Sequence, residues 1–272
     1  MAPAFALPPA APPSGEAWLS ALDVGQGLAV VVRTATRTLL YDAGPGYGPE
    51  ADSGGRIVLP LLRGAGIGSL DLLVATHEDS DHLGGALTVL ETLEVGALAS
   101  SLPRTHPLNS LVPGYSRCVA GRRWEWDGVR FEFLHPPHGW EGARRNNQSC
   151  VLRVEAGGAA ALLTGDIERA AEQALVKAGG LRADVLLTPH HGSRSSSSEE
   201  FIAAVAPRWT VVSAGYRNRF GHPAREVLAR YERAGIGVRR TDLDGAISVV
   251  LRKGHAEVAS ERAARPRYWR RI

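Results

Sequence analysis

Cysteine is scarce in this sequence. Of 272 residues only Cys118 and Cys150 carry thiols, and their spacing matches no metal-ligand motif. They could pair, but the sequence alone favours two free thiols, one of them buried in a strand over 149–154, and leaves the redox compartment undecided. Long apolar runs are missing too. None exceeds the length of a strand, so no segment is long enough to span a bilayer. The opening stretch, MAPAFALPPAAPPSGEA, lacks the basic and continuous apolar regions of a signal peptide. Its prolines favour an extended tether instead. Excess charge is small, with a formal net charge of +3, which points to no particular class of partner. The 44% hydrophobic and 22% charged content fits an ordinary soluble globular protein. The length allows one large domain or two small ones.

What is present divides into three parts. Residues 1–16 form a Pro/Ala-rich linker, 17–255 a folded domain, and 256–272 a basic C-terminal tail. The tail holds Arg262, Arg265, Arg267, Arg270 and Arg271 with Tyr268 and Trp269 interleaved. Such a segment can follow a nucleic-acid backbone or an anionic membrane surface, or it can be a solvated end. Strands are expected at 17–23, 28–33, 38–41, 70–75, 97–100, 117–119, 129–134, 147–155, 159–164, 185–188, 209–214, 237–240 and 246–252. The strands over 147–155 and 159–164 form a hairpin around Gly157 and Gly158. Helices are expected at 57–64, 84–93, 167–177, 198–205 and 224–234. Strands and helices alternate, so the fold class is α/β or α+β, with sheets covered by helices.

The chemistry-bearing residues follow a positional rule. LDLLVAT runs into His77, AALLTG into Asp166, and DVLLTP into His190 and His191. WTVVSAGY leads through Arg217, Asn218 and Arg219 to His222, and the strand ending at Tyr41 delivers Asp42. Strands lying side by side would gather these groups on one rim, where open α/β sheets bind ligands. THEDSDHLGG, residues 76–85, crowds His77, Glu78, Asp79, Asp81 and His82 into six positions. Buried carboxylates without a counter-charge are costly, so a cation is expected among them. Helix capping by one Asp is the plainer alternative, but it leaves the two flanking histidines unexplained. On a loop, His77 and Asp79 can serve one ion and Asp81 and His82 another, with Asp166 bridging. Imidazole plus carboxylate suits zinc, manganese or iron. Two such ions can activate water and clamp a phosphoryl group.

THEDSDH resembles the HxHxDH signature of the metallo-β-lactamase superfamily, with Asp79 where the second His usually stands. LDVGQGLAVVVRT, LLYDAGP, THEDSDHLGG, NNQSCVLRV, LLTGDIE, LLTPHHGSRSSSS and AGYRNRFGHP, in that order from about Trp18 to Arg252, are together similar to the C-terminal domain of the ComEC family of DNA-internalisation competence proteins. The resemblance implies an αββα sandwich of two mixed sheets with a dinuclear site at one edge. It implies a nuclease that degrades the DNA strand not taken into the cell, attached in the full-length protein to a membrane channel and OB-like domains. Single-stranded DNA is the favoured partner. The expected location is the inner membrane, by way of the full-length protein, with this domain on its outer, periplasmic face. By position, His77, Asp79 and Asp166 match one metal site. Asp81, His82, Asp166 and one of the His190–His191 pair match the other, with His191 favoured as ligand and His190 beside the substrate phosphate.

The superfamily's third His of the first site falls near 146–149, where this chain has none. Asn147 and Ser149 are the candidates to complete that site. His135 and His138, in the Pro-rich HPPHGW, read as loop residues. An oxygen-rich first site favours Mn²⁺, with Zn²⁺ possible but weaker. Asp81, His190 and His222 are the catalytic candidates. GSRSSSS (Gly192–Ser198), with Ser193, Arg194 and Ser195, reads as an anion cradle before a helix start or as a flexible polar loop, and Arg217 and Asn218 extend the phosphate track. Val24–Gly27 should turn beneath the site, and Asp23 or Asp42 could orient a ligating His. Two alternatives stay open: a hydrolase of a small molecule on the same fold, or a degenerate module that guides DNA without cutting it.

Overall fold

A computed structural model of the chain describes residues 10–140 and 144–264. Two mixed β-sheets pack face to face, and helices cover both outer faces. The first sheet runs in the spatial order Gly114–Arg117, Ala97–Ser100, Leu72–Ala75, Thr38–Tyr41, Val30–Arg33, Ala17–Ala21, Ile247–Arg252, His255–Ser260. The second runs Arg123–Trp126, Val129–His135, Val151–Ala156, Ala159–Leu163, Val185–Leu187, Trp209–Val212, Gly237–Arg240.

The sandwich follows from strands whose two faces are both apolar. Successive side chains of a strand point to opposite faces. Leu39 and Tyr41, Leu72 and Val74, and Leu152 and Val154 turn inward between the sheets. Leu40, Leu73 and Ala75 turn outward beneath the helices Leu59–Gly64 and Ala86–Thr92, against Leu62 and Val89. Leu162 and Leu186 do the same on the other side, beneath Arg169–Ala178, Glu199–Val205 and Arg225–Arg233, against Leu175, Phe201 and Val227. Alternation of this kind reads in sequence as near-continuous hydrophobic runs.

Parallel pairing sets the active rim. Thr38–Tyr41, Leu72–Ala75 and Ala97–Ser100 run parallel in the first sheet. Ala159–Leu163, Val185–Leu187 and Trp209–Val212 run parallel in the second. Each set opens its carboxyl ends at one edge, so the loops that follow converge.

Several expectations need correction. Cys118 and Cys150 are not free thiols: they form a disulfide, both fully buried between the sheets, with Cα atoms 5.7 Å apart. The bond ties the end of Gly114–Arg117 to the start of Val151–Ala156 and so staples one sheet to the other. Closing a loop with a sequence separation of 32 should stabilise the fold by about 4 kcal/mol through the unfolded chain. Cys118→Ala/Cys150→Ala should therefore lower the urea midpoint clearly; equal midpoints would contradict this.

The basic tail begins later than expected. His255–Ser260 is an edge strand and Glu261–Ala264 a helical turn, so residues 256–264 belong to the folded body. Arg265, Arg267, Tyr268, Trp269, Arg270 and Arg271 lie outside the described residues. Of the expected linker, the described part packs on the body: Gly15 N donates to Asp127 O at 2.7 Å, and Pro12 is buried. The strand expected at 117–119 lies at Gly114–Arg117 instead. Arg123–Trp126 is a strand that the reading missed, because its charges alternate with tryptophans on an edge. His135 closes a strand rather than sitting in a loop.

Candidate metal centre

Four chain segments deliver the cluster. His77, Asp79, Asp81 and His82 follow Leu72–Ala75, and Asp166 follows Ala159–Leu163. His190 and His191 follow Val185–Leu187, and His222 lies on the loop after Trp209–Val212. Asp81, His82, Asp166 and His191 each place one ligand atom within 4.8 Å of all the others. His191 Nε2 lies 3.4 Å from Asp81 Oδ2 and 3.5 Å from Asp166 Oδ2. His82 Nε2 comes 3.1 Å from Asp166 Oδ1 without the alignment a hydrogen bond needs.

The Nε2 atoms of His77, His82 and His191, together with Asp166 Oδ1, are all buried with no hydrogen-bond partner. Each such orphan costs about 1–3 kcal/mol, and four gathered in one cluster is not how a structural polar core is built. Divalent cations among them would satisfy these atoms, so the residues fit such ions.

The hydrogen bonds behind the rings support the same conclusion. His191 Nδ1 lies 2.8 Å from Ser213 O, which can only accept. His82 Nδ1 lies 2.7 Å from Asp42 Oδ2. Thr76 donates its hydroxyl to Asp42 Oδ2 at 2.8 Å, so at 2.9 Å its oxygen accepts from His77 Nδ1. In each ring Nδ1 carries the proton and Nε2 offers its lone pair inward, the arrangement of oriented metal ligands. Asp42 is thus the orienting carboxylate, held with a backbone φ of +56° and fully buried. Asp23, proposed for that task, sits 3.7 Å from Arg262.

Charge in the cluster is finely compensated. Burial disfavours ionised Asp81, but the adjacent His191 and His82 imidazoles hold its carboxyl down at about 2. Asp166 is driven well below the carboxylate range by His191 and His82 despite burial. His82, opposed by burial, is raised well above the usual imidazole value by Asp166 and Asp42.

The first site is sparser. His77 Nε2 lies 3.6 Å from Asp79 Oδ2 and 4.0 Å from Asp166 Oδ2. Asp79 occupies the N-cap position of Ser80–Leu83, yet its side chain makes no capping bond, so its carboxylate is not spent on the helix. Neither candidate for completing this site does so by its observed bonds. Asn147 Oδ1 accepts from Glu168 N at 2.9 Å and Ala171 N at 3.3 Å, capping the next helix. Ser149 Oγ lies 3.3 Å from His77 Nδ1, the far side of the ring, and accepts from Asp166 N at 3.1 Å. A guanidinium borders the site, with Arg145 Nη1 3.7 Å from Asp79 Oδ1 and Nε 2.6 Å from Glu78 Oε1. His135 is buried and donates to Asn147 O at 2.8 Å; burial lowers it to about 4. It supports the loop, and His138 is exposed.

On the open side stand His190 and His222, their rings 5.7 Å apart. Burial lowers His190, whose ring meets Ser195 Oγ and Asn146 Nδ2 at 3.3 Å and Glu168 Oε1 at 3.5 Å. Burial and the two neighbouring histidines lower His222 to about 4. Ser193 Oγ bonds Ser195 Oγ at 3.0 Å, while Arg194 turns to Glu226 at 3.2 Å. The anion cradle read from GSRSSSS is real in its second half but already filled. Buried Glu172 accepts from Ser197 N and from Ser198 N at 2.9 Å. Glu172 escaped the sequence reading because it lies mid-helix, where a glutamate normally faces solvent. Asn218, expected on the phosphate track, spends its amide inside its own loop on Gly215 O at 2.9 Å and His222 N at 3.0 Å. Arg217 is exposed, its guanidinium over the Tyr216 ring.

Gly27 shows why the Val24–Gly27 turn lies beneath the cluster. Its φ is +146°, and a Cβ there would collide with the Asp81 carbonyl oxygen. That oxygen accepts from Leu28 N at 3.0 Å, which fixes Asp81 from below.

Comparison with known proteins agrees with the geometry. The family model of the metallo-beta-lactamase superfamily matches residues 22–216. Competence protein ComA of Neisseria gonorrhoeae is 43% identical over 248 residues, covering 90% of this chain and 34% of that protein. ComE operon protein 3 of Bacillus subtilis is 33% identical, covering 86% of this chain and 33% of its own length. Recombination protein 2 of Haemophilus influenzae is also 33% identical, over 92% of this chain and 31% of that protein. The chain thus spans about a third of the length of these relatives. Among solved structures, the metallo-beta-lactamase fold protein YhfI of Bacillus subtilis superposes with a TM-score of 0.53 at 10% identity, covering 83% of this chain and 96% of that one. Strand ends, ligand set and relatives converge: the chain belongs to the metallo-β-lactamase superfamily.

Proposed function

We propose that this chain is a metal-dependent nuclease that hydrolyses DNA, degrading the non-transported strand during natural transformation. The observation that carries the hydrolytic reading is the convergence of ligand atoms from Asp81, His82, Asp166 and His191 on the rim of the sheets, with atoms of His82, Asp166 and His191 buried and unpartnered. Relatives named for competence and recombination support DNA as the substrate.

Asp81, His82, Asp166 and His191 would hold one divalent cation. His77 and Asp79, sharing Asp166, would hold a second more loosely. One nitrogen against two carboxylates at that site favours Mn²⁺ over Zn²⁺. When bound, such cations supply Lewis acidity that makes water nucleophilic near neutral pH and offsets charge on phosphoryl oxygens. The chain's own residues do the rest. Asp81, with a carboxylate 31% exposed against 4% for Asp166, meets solvent and orients the attacking water by accepting its hydrogen bond. His190, steadied by Ser195, donates its N–H to a phosphate oxygen. His222 faces the leaving oxygen.

The buried disulfide fits an oxidising compartment, which supports a place on the outer face of the inner membrane. Among the described residues no helix is long and apolar enough to cross a membrane. Attachment to a membrane channel and OB-like domains would therefore come from the remainder of a full-length protein such as the relatives.

Labelled single-stranded and duplex DNA incubated with chelator-treated protein is the test. Manganese should restore cleavage and zinc should restore less. Full recovery with zinc alone would contradict the manganese preference. DNA left intact with every metal, yet bound, would favour a guiding module instead, a reading to which Arg145 beside Asp79 lends weight.

A further inference from the structure

The loop after Trp209–Val212 carries two exposed aromatic rings at the mouth of the site. Tyr216 is 67% exposed and Phe220 54%. Single exposed apolar residues are common on protein surfaces, so exposure alone assigns nothing. Their setting does. The Phe220 ring stacks on His222 at 5.7 Å with planes 22° apart, and His222 stacks on His191 at 6.4 Å and 22°. A column of parallel rings therefore leads from solvent to a residue of the metal cluster. Each exposed ring carries a cation: the Arg219 guanidinium lies over the Phe220 ring, 4.8 Å from its centre, and that of Arg217 over the Tyr216 ring at 5.2 Å.

The loop is also built to hold its shape. Asn218 donates to Gly215 O and His222 O and accepts from His222 N, tying the ends of the aromatic stretch together. Gly221 N donates to Asn218 O at 3.2 Å. A ring fixed in this way loses little freedom when a ligand covers it.

We infer that Phe220, with Arg219 on its exposed side, is a stacking platform for an unpaired nucleobase next to the phosphodiester in the site, and that it makes the chain select single-stranded nucleic acid. This rests on the nuclease reading for its substrate class and adds how that substrate is told from duplex. A flat aromatic face accepts any base, so recognition is independent of sequence. A base inside a duplex has both faces covered and cannot lie on the ring without unstacking. The guanidiniums meet the adjoining phosphates.

The test compares two fluorescent strands of equal length and charge, one with bases and one abasic throughout, on the metal-loaded full chain. Both carry phosphorothioate linkages, which resist hydrolysis, so the result does not depend on whether the chain cuts DNA. The wild type should bind the base-bearing strand about tenfold or more tightly. Phe220→Ala should bring the ratio near one, and Phe220→Trp should keep it, which separates lost stacking from a damaged loop. Equal binding of both strands by the wild type, no binding of either, or an undiminished ratio in Phe220→Ala would overturn the platform. If DNA is cut with manganese while the ratio is one, the platform fails alone. If DNA is never cut while the ratio follows Phe220, the nuclease reading fails alone.

Discussion

Asp166→Ala should abolish metal-dependent hydrolysis, with a loss on the order of a thousandfold or more, comparable to or larger than removal of one preorganised electrostatic group. Among the ligands its carboxylate makes the widest set of approaches. It lies within 4.0 Å of His77, His82, His190 and His191, and its side chain is only 4% exposed. Both candidate metal sites share it, so its removal empties both. It also leaves three buried imidazoles facing one another with their strongest counter-charge gone. Metal content, measured on the purified variant, should fall together with activity. Retention of activity within a few-fold of the wild type would remove Asp166 from the mechanism. Asp166→Asn keeps the volume, and comparing its circular dichroism with the wild type separates loss of a ligand from loss of the fold.

Asp42→Asn should weaken metal binding by about 10–100-fold, the range expected when the partner behind a ligating histidine is changed. Asp42 touches no substrate. It accepts from Thr76 N at 2.8 Å, from the Thr76 hydroxyl at 2.8 Å, and from His82 Nδ1 at 2.7 Å. An amide cannot accept on both sides. Placed with its nitrogen toward His82, it meets a donor with a donor and drives the ring proton to Nε2, the atom meant to ligate. Placed the other way, its nitrogen faces the Thr76 backbone N–H, which loses its acceptor. A titration of chelator-treated variant and wild type with manganese checks the shift. Identical affinities would mean that the Asp42–His82 pair is only structural.

Much of the rim was legible because its signal is local. Apolar runs that end in His or Asp need only parallel pairing to converge, and that pairing follows from strands separated by helices. His77, His82, Asp166 and His191 come together for this reason. What stayed hidden depends on partners distant in the chain. Asp42 stands beside Asp23 as one of two candidates to orient a ligating His, or as a turn cap, until Leu72–Ala75 is seen beside Thr38–Tyr41, which brings Thr76 and His82 to it. The Gly192–Ser198 loop reads as an anion cradle, and its backbone does hold an anion, but the anion is Glu172 of the same protein. Cys118 and Cys150 read as two free thiols, although they pair across the two sheets. Their pairing depends on how the sandwich closes, which spacing along the chain does not encode.

The account stands on a cation held by groups from separate segments of the chain. Crystals grown with Mn²⁺ and measured at the manganese absorption edge should show an anomalous peak within coordination distance of His82 Nε2, His191 Nε2, Asp81 and Asp166, with a weaker one beside His77 and Asp79. No peak at the first position, in crystals whose solution contains ample manganese, would contradict it.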